Sequence, residues 1–513
     1  LYSSPTQHGY INLKHTHSLS QNRIHFLLRI QFQPPQIPTT KPTKTLTPKK
    51  LTTRCTATQQ VNTIPNLIKS KNTKLTSKLT KLPIEKAWRK IHGEDDWEGL
   101  LDPMDPIIRS ELIRYGELSQ ACYDGFDFDP YSKYCGSCKH HHEEFFPSLD
   151  LPHIKYNVTR YLYATANVNV PDFFKKSRWP DKYWSEHANW MGYIAVANDE
   201  ETKRIGRRDI VIAWRGTVTN VEWVANLQNY LKPVYKDIPC PDNDVRVEAG
   251  FLDMYTDRQR KDGYCKYSAR EQVLGEMRRL LEKYSDEEVS ITVTGHSLGS
   301  AMATLSAYDI AETGLNVRED GTKIHVSVFS FSGPRVGNIK FKWRLESTLG
   351  VKVLRVHNKH DLVPKSPGFL VNEKSPAWLL KIAEDIDIPW CYTHVGVDLE
   401  LDHKISPFLI PEANAACAHN LEAHLHILDG YHGKNREYEA TTYRDIALVN
   451  KGCDFVKDEF SVPPKWRQEL NRNMVKAENG KWILAQRPQV VDTHHENIDS
   501  YLTQLGITLP NKI

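Results

Sequence analysis

The residue best placed for covalent chemistry is Ser297, in the stretch Val289 to Gly299, VSITVTGHSLG. A run of β-branched residues ends in Gly295, His296, Ser297, Leu298 and Gly299, and a small-residue helical pattern follows at once. Strand, sharp turn and helix in that order give G-x-S-x-G its meaning as a nucleophile elbow. The turn leaves little room beside the serine, so Gly295 and Gly299 flank it, and Ser300, Ala301 and Ala303 let the helix pack close. The expectation is an acyl-transfer serine in a strained backbone conformation at the carboxyl edge of a sheet, where α/β proteins place ligand chemistry.

A serine hydroxyl needs a base, usually His, oriented by a carboxylate. In this architecture the chain order is Ser, acid, His. Asp361 fits the acid, because the strand pattern Val351 to Val356 runs into HNKHD and the Leu362-Val363-Pro364 turn. Asp385 and Asp387 fall in a loop or helix end. His394, His403, His419, His424, His426, His432, His494 and His495 all follow Asp361. His419 stands at a loop-to-helix junction from which a base can reach over the sheet edge, and the local pattern favours it without closing the others. For the oxyanion, the Leu298 amide is one expected donor. The other is the Thr217 amide, where the strand pattern Asp209 to Trp214 empties into Arg215-Gly216-Thr217. Val221, Val224 and Leu231 then recur at helical spacing, with Trp223 and Leu227 beside them, as a lid over an acyl-chain pocket would require.

Those residues need a scaffold of alternating strands and helices. DIVIAW (209–214), IHVSVFSF (324–331) and VKVLRV (351–356) read as buried strands, and 154–165 and 191–197 as short ones. Glu271 to Tyr284 is an amphipathic helix feeding the elbow strand, Ile107 to Tyr123 has helical periodicity, and a helix is expected over 339–349. The pattern implies a largely parallel sheet with helices on both faces, plus N- and C-terminal extensions. Three regions follow: an arm over 1–82, a catalytic domain with an N-terminal helical extension over 83–430, and a C-terminal extension over 431–513 anchored by Trp466 and Trp482.

With 513 residues, 40% hydrophobic and 25% charged, the chain is ordinary globular material. No apolar run approaches the roughly 20 residues that span a bilayer, so any membrane contact is expected to be peripheral. The net charge of +4 is uneven. Residues 1–84 contain no acid, 13 Lys or Arg and 21 Ser or Thr. The remaining 54 bases face all 63 acids. Because the basic excess lies in an aperiodic Thr/Pro/Lys-rich arm and not on a folded face, nucleic acid is not an expected partner. An acid-free, hydroxyl-rich arm without a compact apolar core is the composition of an organelle transit peptide, and Arg54-Cys55-Thr56-Ala57 is a plausible cleavage region. Leu1 is not Met, so a truncated start is expected. Cys135-Gly136-Ser137-Cys138 precedes His140, His141 and His142; a disulfide, a metal site and inert thiols all remain open, although no second C-x-x-C completes a zinc set. Asn157-Val158-Thr159 matches a glycosylation sequon that would matter only in a secreted protein.

The strings RGTVTNVEWVANL (215–227), VEAGFLDMY (247–255), GHSLG (295–299), FSGPRVGN (331–338) and HNKHDLVP (357–364) together resemble the class 3 lipases of the α/β-hydrolase fold. WEGLLDPMDP (97–106), SELIRYGELSQACYDGFDFDPYSKYCGSC (110–138), AHNLEAHLHILDGYHGK (418–434) and VPPKWRQELNRNMVK (462–476) narrow the likeness to plant class I phospholipases A1 of the chloroplast, gamma type. The resemblance spans roughly residues 83 to 513. It implies Ser297 as nucleophile, Asp361 as acid, His419 as base, and Thr217 with Leu298 as oxyanion donors. The run His140 to His142 departs from the pattern. The resemblance further implies a plastid location after removal of the arm, no cofactor and no metal in the chemistry. The implied reaction is hydrolysis of the sn-1 acyl ester of phosphatidylcholine, galactolipids or triacylglycerol. A carboxylesterase or acylglycerol lipase is the alternative enzyme, and a non-catalytic lipase-like interaction protein the alternative of another class.

Overall fold

The computed structural model describes residues 83–165, 174–178, 184–218, 230–368, 372–376, 378, 391–442, 444–467, 474–484 and 498–507. Seven strands make one sheet: β1 Tyr156–Thr165, β2 Ala188–Ala197, β3 Arg208–Trp214, β4 Val289–His296, β5 His325–Phe331, β6 Lys352–Asn358 and β7 Val397–Leu401. They lie side by side in chain order. β1, β2 and β3 pair antiparallel, and β3 to β7 are parallel. The expected largely parallel sheet is therefore present. The expected "short" strands at its edge, β1 and β2, are ten residues each.

Side-chain alternation divides the core in two. In β3, Ile210, Ile212 and Trp214 face one core, while Val211 and Ala213 face the other. The first core is covered by helix Ala249–Thr256, by Ala269–Lys283 and by Leu298–Glu312. The second is covered by α1 Ile84–Ile91, α2 Pro106–Asp124 and the helix Leu421–Gly430. Each large apolar side chain so buried contributes about 1.5–3 kcal/mol. Helix α2 starts where the sequence dictates: Asp105 accepts the Ile107 amide at 2.8 Å and Pro106 fills the first turn. Helix Ala269–Lys283 opens on a Ser268/Glu271 capping box.

Three local expectations change. The helix expected over 339–349 is α-helical only for Ile339–Trp343 and widens to a π turn over Arg344–Thr348. Leu231 is not on a lid helix. It opens the strand Leu231–Pro233, paired with Arg246–Glu248 and 6% exposed, because Pro233 ends helical propagation and Glu248 offers a partner. Val221, Trp223, Val224 and Leu227 lie outside the described residues, as do Asp385, Asp387, His494, His495 and the arm. Trp482 is no anchor, since 55% of it is exposed, whereas Trp466 donates its indole N–H to Ala447 O at 2.6 Å. The Ile498–Gln504 helix buries Ile498 and Leu502 in the first core.

Candidate functional site

The elbow strand β4 reads Val289, Ile291, Val293 toward the first core and Ser290, Thr292, Thr294, His296 toward α2. The hydroxyl face is satisfied by buried acceptors. Ser290 and Thr292 both donate to Asp209 at 2.7 Å, and Thr294 reaches Tyr115 O at 3.2 Å. Asp209 also accepts from Tyr115 and Tyr156 at 2.7 and 2.8 Å. Burial pushes its carboxyl up, but Arg207 and Arg114 outweigh this and hold it below the usual range.

Beyond His296 the chain turns through Ser297 with φ 60° and ψ −128°, and helix Leu298–Glu312 begins at once. A non-glycine residue there is strained by about 1–3 kcal/mol. The surrounding bonds hold it: the Ser297 amide donates to Phe331 O at 2.9 Å, and Ser300 Oγ donates toward Gly295 O and Phe331 O at 2.6 and 3.0 Å. Gly299 allows the turn to touch β3, because a Cβ on it would lie 2.3 Å from Trp214 O.

Parallel pairing of Trp214 with Gly295 brings the Arg215-Gly216-Thr217 loop beside Ser297. A Cβ on Gly216 would stand 3.1 Å from Ser297 Cβ and 2.1 Å from Tyr123 Oη. Arg215 is fully buried. Its guanidinium donates to Trp190 O at 3.0 Å and Gly216 O at 2.8 Å, and it stacks 3.8 Å over Phe126. Burial lowers its pKa to about 10. By holding Gly216 O, Arg215 fixes the peptide plane that carries the Thr217 amide. Thr217 is 8% and Leu298 0% exposed.

Asp361 closes the turn after β6, and His419 caps the helical turn Ala415–Ala418. The two meet: His419 Nδ1 lies 2.7 Å from Asp361 Oδ2. Asp361 Oδ1 accepts the Val363 amide at 2.9 Å. Burial raises the Asp361 pKa, but the His419 charge and hydrogen bond, with His424 and the Val363 amide, bring it below the usual value. The carboxylate is thus ionised and aimed at the imidazole. Ser297 Oγ and His419 Nε2 are both buried and accept or donate no hydrogen bond among the described residues.

Two supporting residues escaped the sequence reading. Tyr123, in the last turn of α2, donates to His296 Nδ1 at 2.7 Å and packs against Gly216, where a Cβ would lie 2.1 Å from its Oη. His296 in turn donates from Nε2 to His419 O at 2.8 Å, its ring 4.6 Å from the His419 ring. Burial, then the neighbouring imidazoles of His419 and His424, keep His296 neutral. Tyr123 and His296 therefore join the Gly216 loop to the backbone of His419. His424, four residues on from Asn420, is the second: its Nε2 accepts from Ser332 Oγ at 2.9 Å and its Nδ1 donates to Asn420 O at 2.7 Å, so it is a structural imidazole. His426 is likewise engaged by Ser406 and Tyr438, and His394 by Pro364 O.

The Cys135 and Cys138 side chains are thiols and not a disulfide, each 3% exposed, and burial pushes Cys135 up to about 12. Among the described residues one group has metal-like composition, His360, Asp402 and His403. Its donors are already used. His403 bonds Asn358 and Pro411 O at 2.9 and 3.0 Å, and Asp402 takes Lys359 and His360.

Residues 211–371 match the family model for Lipase (class 3). The chain is 58% identical over 425 residues to phospholipase A1-Igamma1, chloroplastic, of Arabidopsis thaliana, covering 82% of both chains. It is 44% identical to the chloroplastic galactolipase DONGLE of the same plant, covering 68% of this chain and 71% of that one. Among solved structures, the lipase of Rhizopus microsporus var. chinensis aligns with 18% identity and a TM-score of 0.35, covering 61% and 78%. The chain belongs to the plant class I phospholipases A1 of the gamma type, within the class 3 lipases, and is a serine hydrolase of lipid esters.

Proposed function

We propose that Ser297, His419 and Asp361 form the catalytic triad of a plastid phospholipase A1 that cleaves the sn-1 acyl ester of phosphatidylcholine and galactolipids, with triacylglycerol as a further substrate. The observation that carries this reading is the pair of buried, uncommitted atoms Ser297 Oγ and His419 Nε2, with Asp361 holding the far side of the imidazole at 2.7 Å. His419 takes the Ser297 proton as the hydroxyl attacks the ester carbonyl, and the Asp361 carboxylate stabilises the imidazolium. The Leu298 and Thr217 amides receive the oxyanion. His419 then protonates the glycerol oxygen, the lysolipid leaves, and water releases the fatty acid from Ser297 by the same route. No described helix is long and apolar enough to cross a membrane, and the enzyme meets its lipid peripherally. The plastid location is supported by the chloroplastic relatives and the acid-free arm.

Ser297→Ala should abolish fatty-acid release from vesicles of phosphatidylcholine and of galactolipid while leaving the circular dichroism and melting transition unchanged. Retained release by the purified variant refutes the assignment. Release confined to the sn-2 chain refutes the regiochemistry alone.

A further inference from the structure

Two thiols that the reaction does not use meet beside His419. Cys417 lies in the helical turn capped by His419, and Cys453 follows the turn Ile446–Lys451. Their side chains are neighbours, close enough for one thiol to donate to the other as a thiolate. Cys417 Sγ also reaches Asp454 O at 3.3 Å, and Cys453 Sγ reaches Val449 O at 3.0 Å. Asn420 braces the pair from the other side, donating from Nδ2 to Cys453 Sγ at 2.9 Å and to Val449 O at 2.8 Å. The same Asn420 accepts the Glu422 amide as the N-cap of helix Leu421–Gly430. Cys417, His419 and Asn420 are thus one structural unit.

We propose that Cys417 and Cys453 are a reversible oxidation site, forming a disulfide whose closure displaces His419 and throttles hydrolysis. The throttling rests on the reading of His419 as the base; the disulfide does not. Donation from Cys453 leads the effects that draw the Cys417 pKa down, against its burial, which favours the thiolate at Cys417. At Cys135 and Cys265, burial leads and neighbouring carboxylates add to it, pushing each up to about 12. Hydrogen peroxide is the oxidant this pair would meet. The Cys417 thiolate attacks one peroxide oxygen, the O–O bond breaks, and hydroxide leaves to take up a proton as water. Cys453 then loses its proton and attacks the sulfur of the Cys417 sulfenic acid, expelling a second water. Two thiols are oxidised by two electrons and one peroxide becomes two waters. A dithiol reverses the step by thiol–disulfide exchange, itself ending as a disulfide.

A disulfide holds its sulfurs about 2.05 Å apart, well inside hydrogen-bonded contact. Closing that gap pulls the Cys417 turn toward Cys453 and breaks the Asn420 brace. A misplacement of about 1 Å in a catalytic group costs on the order of 100-fold, so oxidation should lower kcat by about tenfold or more.

The test uses the full chain, treated with hydrogen peroxide and then with dithiothreitol. Peptide mass mapping without reduction should find Cys417 joined to Cys453 with the loss of two hydrogens. Release from phosphatidylcholine vesicles should fall and dithiothreitol should restore it. Cys417→Ser and Cys453→Ser, each checked by its melting transition, should keep basal activity and lose the peroxide response. A different pairing, no cross-link, or equal inactivation of both serine variants overturns the site. A Cys417–Cys453 link with unchanged release overturns the throttle. The peptide map is independent of lipolysis, so failure of the triad assignment is separately visible.

Discussion

Replacing Tyr123 with Phe separates positioning from packing. The ring stays packed against the second core, but Oη vanishes, leaving His296 Nδ1 as a buried acceptor. An unsatisfied buried group costs about 1–3 kcal/mol, so a stability loss of that size is expected. The catalytic consequence follows from what those groups hold. His296 donates at 2.8 Å to the backbone of His419, and Gly216 precedes Thr217 against Ser297. A shift of a few tenths of an ångström beside the serine, at about 100-fold per ångström, should lower kcat by roughly four- to tenfold. KM should stay within about twofold, because neither group faces the acyl chain or headgroup. Denaturant melts and kcat and KM on phosphatidylcholine vesicles, measured below the melting transition, give both numbers. A variant destabilised by the expected amount whose kcat stays within twofold refutes the positioning role and leaves Tyr123 a packing residue.

Asp361→Asn keeps the shape but removes the charge opposite His419 Nδ1; kcat should fall by about 10^4-fold with little change in KM, and a loss under tenfold excludes Asp361 as the orienting acid. Glu248 caps the helix Ala249–Thr256 through the Phe251 amide, and burial raises its pKa to about 8. Its folded pKa exceeds its unfolded one, so its contribution is full below about pH 4.5 and lost as pH rises through 8. Glu248→Gln should therefore be near neutral below about pH 4.5 and should flatten the fall in stability that Glu248 causes between about pH 5 and 8; an unchanged slope there removes Glu248 as its source. His92, His424 and His426 are held by burial to about 3, 4 and 4, far below the unfolded value. Their contribution is present above about pH 6.5 and lost as pH falls toward 4. Set against the opposing Glu248, these three alone give a net of about two protons and a slope of about 2.7 kcal/mol per pH unit once the unfolded imidazoles are charged, and the buried His296 and His394 add in the same direction. Denaturation midpoints that do not move between pH 6.5 and 5 contradict this.

Local signals made the elbow readable. Ser297 sits between a β-branched strand and a small-residue helix, and the glycines and small residues that permit the turn are within a few positions of it. Asp361 and His419 were separable from their rivals only by order and junction position, and the fold places them 2.7 Å apart. Tyr123 was not readable: 173 residues separate it from His296, and nothing in the pattern of α2 marks its last tyrosine. Asp209 shows the same limit. At the head of DIVIAW it looks like a boundary charge, yet it is fully buried because Arg207 and Arg114, from two other elements, neutralise it. Leu231 fits helical spacing, but its partner Glu248 decided for a strand.

Helix α1 constrains how the arm can be trimmed. Trp88 and Ile91 are buried, and His92 hydrogen-bonds Ser327 at 2.8 Å and Arg207 at 2.6 Å, beneath the sheet and far from the serine. A maturation protease that cut past His92 would strip Trp88 and Ile91 from one face of the sheet and take one hydrogen-bond partner from the buried Arg207 guanidinium. The boundary between disposable address and indispensable enzyme is therefore set by packing: any import-linked cleavage has to stop before the buried residues of α1, whatever residues the peptidase prefers.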